Sequence, residues 1–163
     1  MYIKNNIPNL LFALRRRPQA WARIAGSDAY PEIQGLVEFF QTNQGVIVSA
    51  KVVGLPQGKD KCKQPIFAFH IHSGGKCAGN SEDPFADAGT HDNPGGCPHP
   101  YHAGDMPPLF GANGSAILLF LTDRFAVNDI VGKTVIIHSS PDDFTTQPSG
   151  NAGKKIACGE IRR

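Results

Sequence analysis

Charge is scarce in this 163-residue chain: Asp, Glu, Lys and Arg make up 18% of it, against ~25% in typical soluble proteins. Neither sign dominates. The net charge of +2 lacks the strong basic excess expected of a nucleic-acid binder. No apolar run approaches the ~18 residues of a membrane span. Internal repeats are absent, and no stretch carries a sustained helical period. The short apolar run at residues 7–14 contains Pro8 and is followed, not preceded, by Arg15, Arg16 and Arg17, the reverse of a secretory signal. Residues 1–17 are therefore expected to form an N-terminal arm, residues 18–163 a single domain, and the cytosol is the default location.

Chain punctuation is plentiful instead. The 18 Gly and 13 Pro are roughly a fifth of the residues, too many for a helical bundle and short of the ~25–30% of a disordered chain. Between them lie short β-type runs. Ala20, Ala22 and Ile24 alternate with Trp21 and Arg23 up to Gly26, a period of two. Residues 36–40 and 46–53 flank Thr42-Asn43-Gln44-Gly45, which reads as a hairpin. Further strands are predicted at 66–72, 116–121, 133–138 and 156–161, with 124–131 as a strand or connector. This pattern predicts an antiparallel sandwich or barrel. Residues 73–108 read almost wholly as loop, and a second Gly/Pro/Thr-rich loop follows His138. Structureless loops of such length in a compact domain are usually functional.

The six histidines are His70, His72, His91, His99, His102 and His138. Two form a His-x-His pair in one predicted strand, where residues i and i+2 face the same side. One ends another strand, and three sit in the long loop. Singly, a strand histidine is an ordinary core or edge residue and a loop histidine is solvated. Together they offer order to a loop that cannot bury apolar surface of its own, provided a metal joins them. His99-x-x-His102-x-x-Asp105 with one more His would give the tetrahedral nitrogen and oxygen set that structural zinc prefers. His70, His72 and His138 with a shared His would give an all-imidazole set suited to copper.

The segments Phe69-His70-Ile71-His72, His91-Asp92-Asn93-Pro94, His99-Pro100-Tyr101-His102-Ala103-Gly104-Asp105, Ile137-His138, Asp142-Asp143 and Gly150 to Gly159 resemble, in order and spacing, the copper/zinc superoxide dismutase family. The short spacing from His72 to Cys77 and the compact loop after His138 are similar to bacterial members. The resemblance spans roughly residues 20–161. It implies an eight-stranded, antiparallel Greek-key β-barrel or sandwich, immunoglobulin-like, with two functional loops. It also implies a copper ion at His70, His72, His91 and His138, and a zinc ion at His91, His99, His102 and Asp105, with His91 bridging as an imidazolate. Asp142 would orient His70 and His99. The substrate implied is superoxide, with no nucleic-acid or membrane partner; monomer and homodimer both occur in the family. A rival reading is a noncatalytic relative that stores or delivers copper.

The chain departs from the family at Lys155, where an arginine is usual. Lysine keeps the positive charge that would guide an anion but loses the planar fork, so weaker docking is expected. Ser149 falls where the family has a small hydroxyl residue lining the channel. Cys77 and Cys158 match the family's disulfide, which in chain-entropy terms would contribute roughly 4–5 kcal/mol. Cys62 and Cys97 lie outside the pattern; a second disulfide anchoring the zinc loop is expected, with free thiols or an accessory metal site as alternatives.

Overall fold

A computed structural model describes residues 12–60, 62 and 65–163; most of the expected N-terminal arm lies outside the described residues. Among these residues, nine strands form two sheets. The large sheet contains β1 (Ala20–Gly26), β2 (Gln34–Thr42), β3 (Gly45–Val53), β5 (Phe69–His72), β7 (Ser115–Thr122), β8 (Thr134–His138) and β9 (Lys155–Arg162). Its order is β5-β8-β9-β1-β2-β3-β7, and all its pairings are antiparallel. The small sheet pairs β4 (Ile66–Phe67) with β6 (Leu109–Phe110). From β3 the chain crosses to the far edge of the large sheet at β5, and it later returns from β7 to β8. This is an antiparallel sandwich or half-barrel with Greek-key-like connections.

Alternation builds the core. On β1, Ala20, Ala22 and Ile24 are buried between more exposed neighbours, as period-2 strands require. The hairpin closes at Thr42↔Gly45; the Thr42 hydroxyl donates to the Gly45 carbonyl and accepts from the Gln44 N–H. Phe39, Val48, Phe69, Ile71, Leu109, Ile137 and Ile161 fill one interior cluster, with Phe39 edge-on to Phe125. The 124–131 segment contains one short helix, α1 (Val127–Ile130), rather than a strand: Val127 and Ile130 are both buried, a spacing of three that a helical turn satisfies and a strand does not.

The predicted 66–72 strand is interrupted at Ala68. There the N–H donates to the Ser140 carbonyl and the carbonyl accepts from the His138 N–H, tying the second long loop to this edge. The 73–108 loop gains its order from β5. His70 pairs with Asp105 and His72 with His91 as isolated bridges. The Ile71 N–H donates to the Gly104 carbonyl, and the Ile71 carbonyl accepts from Asp92. The Gly104 N–H also reaches the Asp92 carbonyl. Two passes of the loop thus cover the free edge of β5, leaving no open edge there. A Cβ at residue 104 would lie 2.2 Å from the Ile71 carbonyl oxygen, so only glycine permits this approach.

Cys77 and Cys158 form a disulfide with Cα atoms 5.6 Å apart, closing 81 residues and tying the loop to β9. Cys158 is buried, and Cys77 packs against the same small cluster as Phe85, Ala88 and Ile136. This bridge overturns the cytosolic location expected from the N-terminus, because disulfides of this kind are more typical of extracytoplasmic proteins. The second bridge is not made either: Cys62 and Cys97 are free and exposed. Among the described residues, no helix is long and apolar enough to cross a membrane.

Candidate metal centre

His70 and His72 leave β5 on the face opposite the core residues Phe69 and Ile71, yet all four are buried, because the long loop covers that outer face. His138 ends β8 at a register shift between Ile137 and His138, the kind of irregularity that re-aims a side chain. The loop brings His91, His99, His102 and Asp105. Two buried groups result: His70, His72, His91 and His138, and His91, His99, His102 and Asp105. Within each group the ligand atoms lie within 4.8 Å of one another. Every metal-ligand residue expected from the sequence is brought into its group, and His91 belongs to both.

The hydrogen bonds fix the tautomers. His72 Nδ1 lies 2.9 Å from the Gly89 carbonyl and His138 Nδ1 3.3 Å from the Gly153 carbonyl. A carbonyl only accepts, so both Nδ1 atoms carry protons. Burial, then neighbouring histidines, lowers His72 to about 2 and His138 to about 3, so each ring is neutral and each Nε2 carries a lone pair. Those lone pairs face each other at 3.2 Å. That arrangement repels unless a cation takes both.

Asp142 imposes the same logic on two more rings. Its carboxylate accepts from His70 Nε2 and His99 Nε2, each at 2.8 Å, and from the Phe144 N–H at 2.7 Å. Burial alone would raise the Asp142 carboxyl, but these donors hold it down to about 2. With both Nε2 atoms protonated, His70 Nδ1 and His99 Nδ1 are lone pairs. Both are buried without a hydrogen-bond partner among the described residues, as is His91 Nε2. His99 Nδ1 sits 3.0 Å from Asp105 Oδ2, a lone pair against an anionic oxygen. His91 Nδ1 is 2.8 Å from Asp105 Oδ1, and His102 Nδ1 is 3.3 Å from Asp105 Oδ2. Burial would push the Asp105 carboxyl up; its contacts with His91, His102 and His99 carry the net shift downward. Orphaned buried nitrogens and opposed lone pairs are the arrangement that divalent cations resolve. The donor types fit copper in the first group and zinc in the second.

Gly150 makes room for the Asp142 link. A Cβ there would lie 1.9 Å from Asp142 Oδ1 and 2.6 Å from His99 Nε2, and its φ is +66°. Asp143, beside it, instead accepts from Thr145 and Thr146 and shapes the turn.

Residues 33–161 match the family model for copper/zinc superoxide dismutase (SODC). The chain belongs to the copper/zinc superoxide dismutase family. It is 35% identical over 146 residues to superoxide dismutase [Cu-Zn] 2 of Aquifex aeolicus, covering 80% of each chain. A superoxide dismutase-like protein from Bacillus subtilis superposes with a TM-score of 0.69 at 26% identity, over 86% of this chain and 96% of that one. The Cu/Zn superoxide dismutase of Brucella abortus gives 0.72 at 21% identity, over 87% and 99%, a likeness of fold. The all-imidazole group matches the family's copper site, and the His91, His99, His102 and Asp105 group its zinc site.

A cleft of about 820 Å³ opens onto His72, His91, His102 and His138, and its wall includes Ser149, Lys154 and Lys155. Lys155 pairs with His138 across the β8–β9 ladder, which is why it stands beside the copper group. Three supporting contacts had no signal in the sequence. The Lys155 ammonium is paired with Asp83 at 2.6 Å. Lys133 reaches the buried Asp92 carboxylate at 2.7 Å. Arg124 Nη1 donates toward the Pro100, His102 and Asp105 carbonyls at 2.8, 3.3 and 3.3 Å. Each joins residues 19 or more positions apart, beyond the reach of local spacing.

Proposed function

We propose that this enzyme dismutates superoxide, two anions and two protons becoming dioxygen and hydrogen peroxide, with the residues of its two clusters in the following roles. The observation that carries the reading is His91, a single buried imidazole shared by an all-nitrogen group and a nitrogen and oxygen group. Copper, when bound, would supply the one-electron couple for the two half-reactions, and zinc a fixed positive charge. His70, His72 and His138, with His91, would hold the copper, and His99, His102 and Asp105, with His91, the zinc. His91 Nε2, buried and without a hydrogen-bond partner among the described residues, is the position where one proton is held between encounters. Asp142 fixes the ring orientation of His70 and His99, the outer-shell task that ligating histidines need. Lys155 faces the approach to His138 and attracts and orients the anion, while Ser149 lines the same cleft.

The finer architecture belongs to this reading. β4 runs into β5 with only Ala68 between them, and β6 pairs β4 just ahead of β7. These links support closure of the sandwich into an eight-stranded barrel, built from residues 18–163 as one domain.

Protein reconstituted with copper and zinc is expected to consume superoxide far faster than buffer containing the same total metal. Full copper occupancy with no such consumption would decide for storage or delivery of metal. Within the active protein, Lys155→Gln is expected to slow the reaction most at low ionic strength, where charge acts farthest, and Lys155→Arg to speed it. Equal rates for all three would remove Lys155 from the reaction.

A further inference from the structure

The guiding cation is not bare. Lys155 Nζ donates to Asp83 Oδ2 at 2.6 Å and to the Phe85 carbonyl at 3.1 Å. An ammonium has three N–H donors, so two are taken and one remains for an anion in the cleft. The Lys155 side chain is 14% exposed and that of Asp83 39%; the pair forms part of the cleft wall, and both residues line it.

Asp83 is itself preset. Asn80 Oδ1 accepts from the Glu82 and Asp83 N–H groups, and Asp83 Oδ1 accepts from the Phe85 N–H at 3.0 Å. One carboxylate oxygen thus holds the loop, and the other is aimed at Lys155. Burial would raise the Asp83 carboxyl, but Lys155 and the Phe85 N–H outweigh it and lower it, keeping the group anionic. Its negative charge therefore stands in the wall of a cleft that must admit an anion, directly on the cation that attracts one.

We propose that Asp83 is a positioning residue that restrains Lys155, fixing its ammonium against the cleft wall and leaving it one N–H and a reduced net charge with which to receive superoxide. The restraint explains how a flexible lysine can stand where a rigid arginine is usual: the carboxylate and the Phe85 carbonyl supply the fixed geometry that the side chain lacks. Geometry is gained, and the attraction of the cleft for anions is weakened. This rests on the reading that Lys155 receives the substrate.

The test uses the protein loaded with copper and zinc, titrated with azide, a linear monoanion, at low ionic strength and followed through the Cu(II) visible absorption. Asp83→Asn is expected to tighten azide about two- to fivefold, the size of a partly exposed ion pair. It should raise kcat/KM for superoxide by a similar factor, and both gains should fade in high salt. Glu82→Gln removes a charge from the same wall without freeing Lys155 and should give a smaller change. In a Lys155→Gln background, Asp83→Asn should do no more than Glu82→Gln does. Should Asp83→Asn not load metal, Asp83→Ser, which keeps an oxygen for the Phe85 N–H, serves in its place. Unchanged or weaker azide binding in the metal-loaded variant would overturn the proposal, as would a gain that persists undiminished without Lys155. If Lys155→Gln alone moves neither azide affinity nor rate, the role of Lys155 falls, a different result from failure of Asp83 alone.

Discussion

Asp142 shows how much one side chain decides at this site. Its two oxygens accept from His70 Nε2 and His99 Nε2, so it fixes one ring in each metal group and turns both Nδ1 lone pairs inward. Asp142→Asn replaces one oxygen by an NH2 group, which can only oppose the N–H of a histidine. One ring must flip or turn away. Loss of such an outer-shell partner commonly costs 10–100-fold in metal affinity, and that loss is expected here for at least one metal, read by competition with a chromogenic chelator. Unaltered retention of both metals would mean that packing alone sets the rings. At this scale the sequence was uneven. The ligands were legible because histidine is chemically specific and their spacing was internally consistent. Asp142, taken alone, reads as a solvated loop acid, and only the family resemblance singled it out. Asp83 had no signal of any kind, since its partner lies 72 positions away.

Strands were more legible than the segments between them. The large-sheet strands fall where β-type runs predicted, within a residue or two at most ends, because alternation is imposed by burial on one face. The two-residue β6 lies just past the Pro-rich end of the long loop and, like α1, is too short to display a period. The long loop was recognised as functional, but its bridges to β5 were not, because backbone pairing leaves no mark on side-chain pattern. Arg124 belongs to this scale. Just beyond β7, it gathers three carbonyls of the zinc-ligand segment, two of them belonging to the ligands His102 and Asp105. Hydrogen bonds from a charged donor contribute about 1.5–3 kcal/mol each at most, and less at an exposed side chain. Arg124→Gln is expected to leave the sheet intact and to loosen this segment. The measurement is amide hydrogen exchange, with faster exchange at Gly104 and Asp105 and earlier loss of zinc to a chelator. Unchanged exchange there would show that β5 holds the loop without help from Arg124.

Across the whole molecule, a hydrophobic interior carries a polar centre on its outer face, and the loop that covers this centre makes proton binding part of folding. In the metal-free protein His72 is lowered to about 2 and His138 to about 3, with burial the main cause, and burial lowers His70 as well. In the unfolded chain these rings titrate near their ordinary ~6.5. Below that pH the unfolded chain takes up protons that the folded state refuses, so stability rises with pH across the window. The contribution is fully present above about 6.5 and declines as pH falls toward about 3, by about 1.4 kcal/mol per pH unit for each histidine where only the unfolded state is protonated. Urea unfolding of chelator-stripped protein, with the Cys77–Cys158 bridge kept oxidised, should therefore show midpoints that fall steadily from pH 7 to pH 4. Protein loaded with both metals should hold its midpoint to lower pH, because the same lone pairs are committed to cations and protons must displace them first. A metal-free midpoint that stays level over that range would mean that the buried rings accept protons in the folded state as readily as in the unfolded one, and that burial does not depress His72 and His138.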